Sequence, residues 1–506
     1  MIAGMFLGYK IKDNIPGKGF FDFEKTNYLR EVVDLIDSRY VDTVKMNKIA
    51  DSAILSILNQ LDPHSAYITP GELEDVNNDI KGSFVGIGVE FEFFNDTFNI
   101  TRVIEKGPAE LAGLLKDDQI IKVNNKNITG KSLSPDSIRN LIRGEINSKI
   151  NIDILRNQKK LSLTVTRNVV PVNSVDASYM IDSVTGYMRI ARFSSNTYSD
   201  FMKALLTLKK SGLKQLVLDL RDNGGGILDE AVEIADEFLE GDKLITYTIG
   251  RKSPKKEYRC RRTGQFEKGK LVLLTDEGSA SASEILAGAL QEWDRATIIG
   301  NRTFGKGLVQ EQYDLSNGAA LRLTIARYYT PSGRCIQRPY TNGIQAYYKE
   351  SLQLKTNNSV ASPSSKAFKT PSGKTVYDGG GITPDLIVID DSLLLDETSS
   401  LLLEFETLNK FSYYFYKSNQ KELSDWKNAF SFIDSFHLDD KHWKELEKFA
   451  LKDSIKISSF NAKAKPFLEE YVKKGFVRYH WGNKLYTACS NRKDKCFLQA
   501  VSFLHK

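Results

Sequence analysis

The stretch Leu271-Val-Leu-Leu-Thr-Asp-Glu-Gly-Ser-Ala-Ser-Ala-Ser-Glu-Ile-Leu-Ala-Gly-Ala-Leu290 runs from an apolar strand pattern through small residues straight into an amphipathic helix. A side chain at such a turn stands beside backbone N–H groups that have no helical partners, so a serine there sits next to an oxyanion site. Ser279, Ser281 and Ser283 compete for that place. Ser279 is still in the turn and Ser283, with Glu284, is already inside the helix. Ser281 falls at the junction, where the N–H of Ala282 can face a substrate carbonyl. Capping the helix is the ordinary use of a serine at this position.

A hydroxyl needs a base before it can attack a carbonyl. The five histidines are His64, His437, His442, His480 and His505, so none lies between residues 65 and 436. A Ser-His-Asp triad or a histidine-held metal in that stretch is therefore not expected. A lysine can serve if burial lowers its pKa from about 10.4 by about 3 to 5 units. Lys306, in Asn301-Arg-Thr-Phe-Gly-Lys-Gly-Leu-Val-Gln310, has glycines on both sides that let the backbone approach another element. Phe304 and Leu308 supply apolar walls. Gln310, four residues on, shares its face in a strand or a helix and can hold the amine without adding charge. A solvated Gly-Lys-Gly turn is the plain alternative. In Gln215-Leu-Val-Leu-Asp-Leu-Arg-Asp-Asn-Gly-Gly-Gly-Ile227 a strand leads to three glycines whose N–H groups could form the second half of an oxyanion hole. Neither GxxxxGK[ST] nor GxGxxG with its later acidic residue is present, which argues against nucleotide binding.

The elements that must position these residues follow from patterning over 506 residues, 41% of them hydrophobic, enough for three or four compact units. Lys plus Arg is 70 against 64 for Asp plus Glu, and a surplus of +6 is too weak a field to imply a nucleic-acid partner. Four cysteines form no CxxC pair, and Cys489 and Cys496 are close enough to bridge only in an oxidising compartment. Residues 1–23 open on an apolar Met1–Tyr9, too short for the roughly 20 residues of a membrane span, and read as the trailing end of an anchor or signal. Residues 24–80 carry helical spacing. Between 81 and 168 short alternating strands (Val85–Phe94 the first) form a β-rich module with helical pieces near 109–114 and 134–143. There Val85-Gly86-Ile87-Gly88-Val89 can offer consecutive N–H groups to a terminal carboxylate, and the strand edge can accept an extended peptide. From 169 to 394 strands alternate with helices, predicting an α/β layer with parallel strands, interrupted by a mobile surface excursion at about 345–376. Residues 395–506 are charged, aromatic and helical in spacing. Their faces could form a homodimer contact or pack on their own chain.

Together these segments resemble the carboxyl-terminal processing peptidases, or tail-specific proteases, over about 24–390. Gly86-Ile-Gly-Val89 with Gly107-Pro-Ala-Glu-Leu-Ala-Gly113 resembles the PDZ domain of these enzymes. Leu218–Gly226 resembles their glycine loop, Gly278–Ile285 their nucleophile turn, and Thr303–Gln310 their general-base segment. The resemblance implies Ser281 as nucleophile, Lys306 as base, Gln310 as orienting amide, and the N–H groups of Ala282 and of Gly225 or Gly226 as oxyanion donors. It implies a multidomain α/β chain with a crotonase- and ClpP-like core carrying an inserted PDZ domain, helical at both ends. The expected activity is that of a serine endopeptidase with no metal and no cofactor, cutting proteins with free, apolar C-termini on the periplasmic side of the bacterial inner membrane. Arg143, at the expected end of a helix, is a candidate sensor of PDZ occupancy. Proline is common in relatives where Gly224 stands, and 395–506 resembles an extension of Bacteroidetes-type members. The rival readings are a catalytically silent PDZ adaptor and a crotonase-like acyl-CoA enzyme.

Overall fold

The computed structural model describes residues 27–130, 135–353, 366–388, 397–423, 425–457 and 464–506. The anchor remnant expected over 1–23 lies outside them. The chain divides after Tyr67 into two compact units. The first carries the helices Asn27–Arg39 and Met46–Leu58. The helical region expected over 24–80 is therefore cut, because the helix Pro70–Lys81 belongs to the second unit. That helix opens with Pro70 in its first turn and a Glu72 carboxylate accepting from Thr69 N–H at 3.1 Å, and it ends at Gly82 with φ 65°. No helix among the described residues is long and apolar enough to cross a membrane.

The second unit is built on a six-stranded sheet whose spatial order follows chain order: Val175–Met180, Thr185–Ile190, Gln215–Asp219, Lys270–Thr275, Thr297–Gly300 and Leu386–Ile387. The first pair is antiparallel and the rest are parallel. A parallel sheet must be covered on both faces, and its strands read as continuous apolar runs for that reason. Leu216, Leu218, Leu271 and Leu273 face the helices Thr197–Lys210, Leu228–Asp236 and Ala282–Glu292. Val217, Val272 and Leu274, which alternate with them, meet Phe497, Ala500 and Leu504 of the chain's last helix, Lys495–Leu504. The extension thus supplies the second layer of the core.

A separate antiparallel sheet pairs Leu308–Asp314 with Ala320–Tyr329, and the latter with Leu244–Ile249. The excursion expected at 345–376 contains a helix, Ile344–Gln353, and a hairpin of Ala367–Lys369 with Thr375–Tyr377, while 354–365 lies outside the described residues. The β module is a six-stranded antiparallel sheet in which Val89–Phe94, Thr97–Val103, Gln119–Val123, Lys149–Arg156 and Lys159–Thr166 lie in that order and Lys126–Asn127 pairs with Gln119–Val123 off that path, with Pro135–Ile142 as its longer helix. The single strand expected over 85–94 is broken at Ile87 and Gly88. Its first part, Ser83–Gly86, pairs instead with Asn168–Pro171.

The helices Glu397–Glu404, Thr407–Leu423, Ala429–Ser435, Asp440–Lys452, Lys465–Trp481 and Asn483–Asn491 pack around Phe411, Phe415, Phe432, Trp443 and Phe476. They pack on their own chain. Asp117 accepts from Lys417 Nζ at 3.0 Å and Tyr416 Oη at 3.2 Å, and Phe94 stacks on Phe449. Cys489 and Cys496 are both free thiols.

Candidate active site

The helix Ala282–Glu292 begins where strand Lys270–Thr275 has run out, and Ser281 stands at its N-cap with φ 54° and ψ −113°. Positive φ is costly for a side chain with a Cβ, typically about 1–3 kcal/mol, and persists only where the surroundings impose it. Here they do. Phe304 N–H donates to Ser279 O at 3.0 Å, Ser279 Oγ to Leu220 O at 2.8 Å, and Ala280 N–H to Asn223 O at 3.0 Å. Ser279 and Ser283 are wholly buried, and Ser283 Oγ donates to Asn223 O at 2.8 Å, so both rivals of Ser281 are committed to holding the turn.

Glu284 joins the nucleophile turn to the lysine segment. Its Oε2 accepts from Ser281 N–H and from Lys306 N–H, each at 2.9 Å. Its Oε1 accepts from Gly305 N–H at 2.7 Å and Thr303 Oγ1 at 2.5 Å. The backbones of Ser281 and Lys306 therefore lie no more than two hydrogen-bond lengths apart. The Tyr328 hydroxyl adds a second tie, its one proton shared between Ser281 O at 3.1 Å and Lys306 O. Burial is the strongest influence on the Glu284 carboxyl and pushes it up to about 7, against the pull of its four donors. Lys306 itself is half-buried, and its Nζ donates to Gln310 Oε1 at 3.0 Å.

The glycine loop closes the other side. A Cβ on Gly225 would stand 2.5 Å from Ala280 O, 2.7 Å from Ser281 Cβ and 2.8 Å from Ala282 N. Gly225 N–H is already given to Asn223 Oδ1 at 2.9 Å, and its carbonyl accepts from Phe193 N–H at 3.0 Å. Of the three N–H groups named from the sequence, those of Ala282 and Gly226 have no acceptor among the described residues. Gly224 has open space where a Cβ would stand.

In the β module the carbonyls of Ile87 and Gly88 accept from Ala109 N–H at 2.7 Å and Ile104 N–H at 2.9 Å. Their own N–H groups have no backbone acceptor among the described residues. Val85 and Gly86 lie in the strand before the break, and Val89 opens the edge strand Val89–Phe94. Arg143, just past Pro135–Ile142, pairs with Asp75 and lies 5.3 Å over the Phe84 ring.

The description "Peptidase family S41" matches residues 184–350, and "PDZ domain" matches 100–156. A carboxy-terminal-processing protease of Bartonella bacilliformis is 37% identical over 314 residues, 61% of this chain and 71% of that protein. The chain belongs to the C-terminal processing peptidases of family S41. A probable CtpA-like serine protease of Staphylococcus aureus (strain N315) is 33% identical over 338 residues, 66% of each chain, so the match spans just under two thirds of that relative. Among solved structures, the photosystem II D1 C-terminal processing protease is 28% identical, with 72% of this chain and 86% of that one covered at a TM-score of 0.38.

In this S41 chain four residues the sequence reading passed over hold the site together: Glu284, Asn223, Tyr328 and Asp276. Asp276 accepts from Asp222 N–H at 3.0 Å and Gly278 N–H at 3.0 Å, and burial, with Asp222 beside it, raises it to about 6. The spacing Ser281-x-x-Glu284 is a capping-box pattern and was the available signal for Glu284.

Proposed function

We propose that this chain is a serine endopeptidase that captures the C-terminal tail of a protein substrate on its PDZ domain and cleaves it at Ser281. The observation that carries the reading is the shared Glu284 carboxylate, which sets the serine turn against the lysine segment while the glycine loop covers the serine. Neutral Lys306 takes the proton from Ser281 Oγ as the oxygen attacks the scissile carbonyl. The N–H groups of Ala282 and Gly226 receive the oxyanion, and Gln310 Oε1 keeps the amine aimed. Collapse breaks the C–N bond, and the lysine ammonium hands its proton to the leaving amine. Water, deprotonated by the regenerated amine, then hydrolyses the ester.

On the PDZ side, the free N–H groups of Ile87 and Gly88 suit a terminal carboxylate, and the edge strand Val89–Phe94 suits β-addition of the residues before it. Arg143 is the candidate sensor. Its partner Asp75 lies on Pro70–Lys81, the helix that leads into Ser83–Gly86 and whose Asn77 Oδ1 accepts from Gln312 Nε2 at 3.2 Å, two residues beyond Gln310. Placement on the periplasmic side of a bacterial envelope is part of the same reading, and cell fractionation tests it.

Ser281→Ala tests the assignment. In purified protein it should reduce cleavage of a substrate with an apolar tail by at least about 10⁴-fold, while tail binding measured by fluorescence anisotropy is unchanged. Undiminished cleavage would refute it. Tail binding without cleavage in the unaltered protein would favour the silent adaptor.

A further inference from the structure

The C-terminal extension reaches the glycine loop through one acidic side chain. Asp494 caps the last helix, with Oδ1 accepting from Phe497 N–H at 2.7 Å. Its Oδ2 meets Arg221 Nη1 at 2.6 Å. The other nitrogens of Arg221 grip Asp219 at the end of its strand, Nε to Oδ1 at 3.0 Å and Nη2 to Oδ2 at 2.7 Å. Asp219 also accepts from Tyr187 Oη at 2.8 Å. Burial alone would raise the Asp219 carboxyl, but Arg221 holds it below the ordinary carboxylate value.

Arg221 stands two residues before Asn223, whose carbonyl fixes Ala280 and Ser283 and whose Oδ1 fixes Gly225. Asp219 alone would secure the guanidinium along one edge, at the root of the loop. Asp494 secures the outer nitrogen to a different element, a helix buried against the sheet by Phe497, Ala500 and Leu504 and held at its far end by Lys270 Nζ on Leu504 O at 2.8 Å. The guanidinium is then fixed from two sides, and charge-assisted pairs of this geometry are the strong, directional ones.

We propose that Asp494 is a positioning residue of the active site: through Arg221 it sets the glycine loop over Ser281, so the C-terminal extension is a working part of the oxyanion machinery. This rests on the peptidase reading of Ser281 and the loop.

The test is Asp494→Asn in the full chain, since asparagine also caps a helix well and the fold should survive. Displacing an oxyanion donor by a fraction of an ångström should lower kcat on a tailed substrate by about tenfold to a hundredfold, with KM within about twofold. Hydrogen exchange followed by mass spectrometry should be faster by about tenfold across 220–227, with the PDZ strands unchanged. Asp434→Asn is the control, because it breaks the half-exposed Asp434–Arg492 pair of the same extension and should alter neither reading. Unchanged exchange and kcat in Asp494→Asn would overturn the proposal. So would equal losses in the control, which would mean that any loosening of the extension suffices. If the unaltered protein fails to cleave, the peptidase reading falls, and the exchange measurement still decides whether Asp494 sets the loop.

Discussion

Two glycine-bearing loops in this molecule look alike in sequence and differ in what constrains them. Around Gly225 an added Cβ would strike the backbone of Ala280 and Ala282 and the Cβ of Ser281, and φ is +93°. Around Gly86 it would meet only the ring of Phe84, at 3.0 and 3.3 Å, and around Gly88 only side chains at 3.5 Å or more. The loop over Ser281 is glycine because another backbone occupies the space, and it is held by Gly225 N–H on Asn223 Oδ1 and by Phe193 N–H on Gly225 O. The PDZ loop is itself buried, but at Gly86 and Gly88 only side chains, which can give way, stand where a Cβ would go. A site that must hold an oxyanion donor in place needs the first arrangement, and one that must admit different tails can use the second.

Gly225→Ala should break the comparison most severely. The methyl group can be admitted only by moving the loop off Ser281, and loss of one oxyanion contact alone typically costs about 10²–10³ in kcat. We expect a loss of about a thousandfold with tail affinity on the PDZ domain unchanged, measured by steady-state cleavage and by peptide anisotropy. A variant with kcat within tenfold of the parent would show that the steric argument for this loop is wrong.

Glu284→Gln sharpens the same contrast with a smaller effect. Both carboxylate oxygens accept two hydrogen bonds, so an amide must turn its NH₂ toward donors. Misplacing the lysine segment against the serine should lower kcat by about a hundredfold. The pH dependence of folding has a definite sign. A carboxyl raised from 4.5 to about 7 in the fold binds a proton there that the unfolded chain has already lost. Its contribution is full below 4.5 and falls away as pH climbs to about 7, by roughly 3 kcal/mol. Urea unfolding at pH 5 and pH 8 should show that slope in the parent and a flatter one in Glu284→Gln. An unchanged slope would remove Glu284 as its source.

The residues proposed for catalysis are marked in the sequence by side-chain type and spacing: a serine at a strand-to-helix junction, a lysine between glycines, an amide four residues later. Glu284 was visible only as a helix residue, since nothing local reveals that its carboxylate reaches residues 303–306. Tyr328, 47 positions from Ser281, had no sequence signal at all, because its contact depends on how two sheets meet. The role of the extension was partly within reach. The unbroken apolar runs at 216–218 and 271–274 demand a cover on both sheet faces, and the helices of the α/β region supply only one. Phe497, Ala500 and Leu504 share a helical face that fills the other. The break of the 85–94 strand was missed because alternation continues through Ile87 and Gly88 while the partner strand changes.

Arg143→Ala should give the smallest effect of the set and bears most directly on the open loop. Its guanidinium reaches Asp75, whose side chain is 54% exposed, so the pair adds little to stability and the melting temperature should hold. If the contact reports PDZ occupancy to the helix Pro70–Lys81, its loss should uncouple tail capture from cleavage. A coupling of about 1 kcal/mol, the low end of the usual range, is about fivefold in kcat/KM. That loss should appear with tailed substrates and vanish for a short peptide that reaches Ser281 without engaging the PDZ domain. Equal losses on both substrates would assign Arg143 to the general integrity of the site. No loss on either would leave it as a cation past the end of Pro135–Ile142, paired with the Asp75 carboxylate and lying over the Phe84 ring.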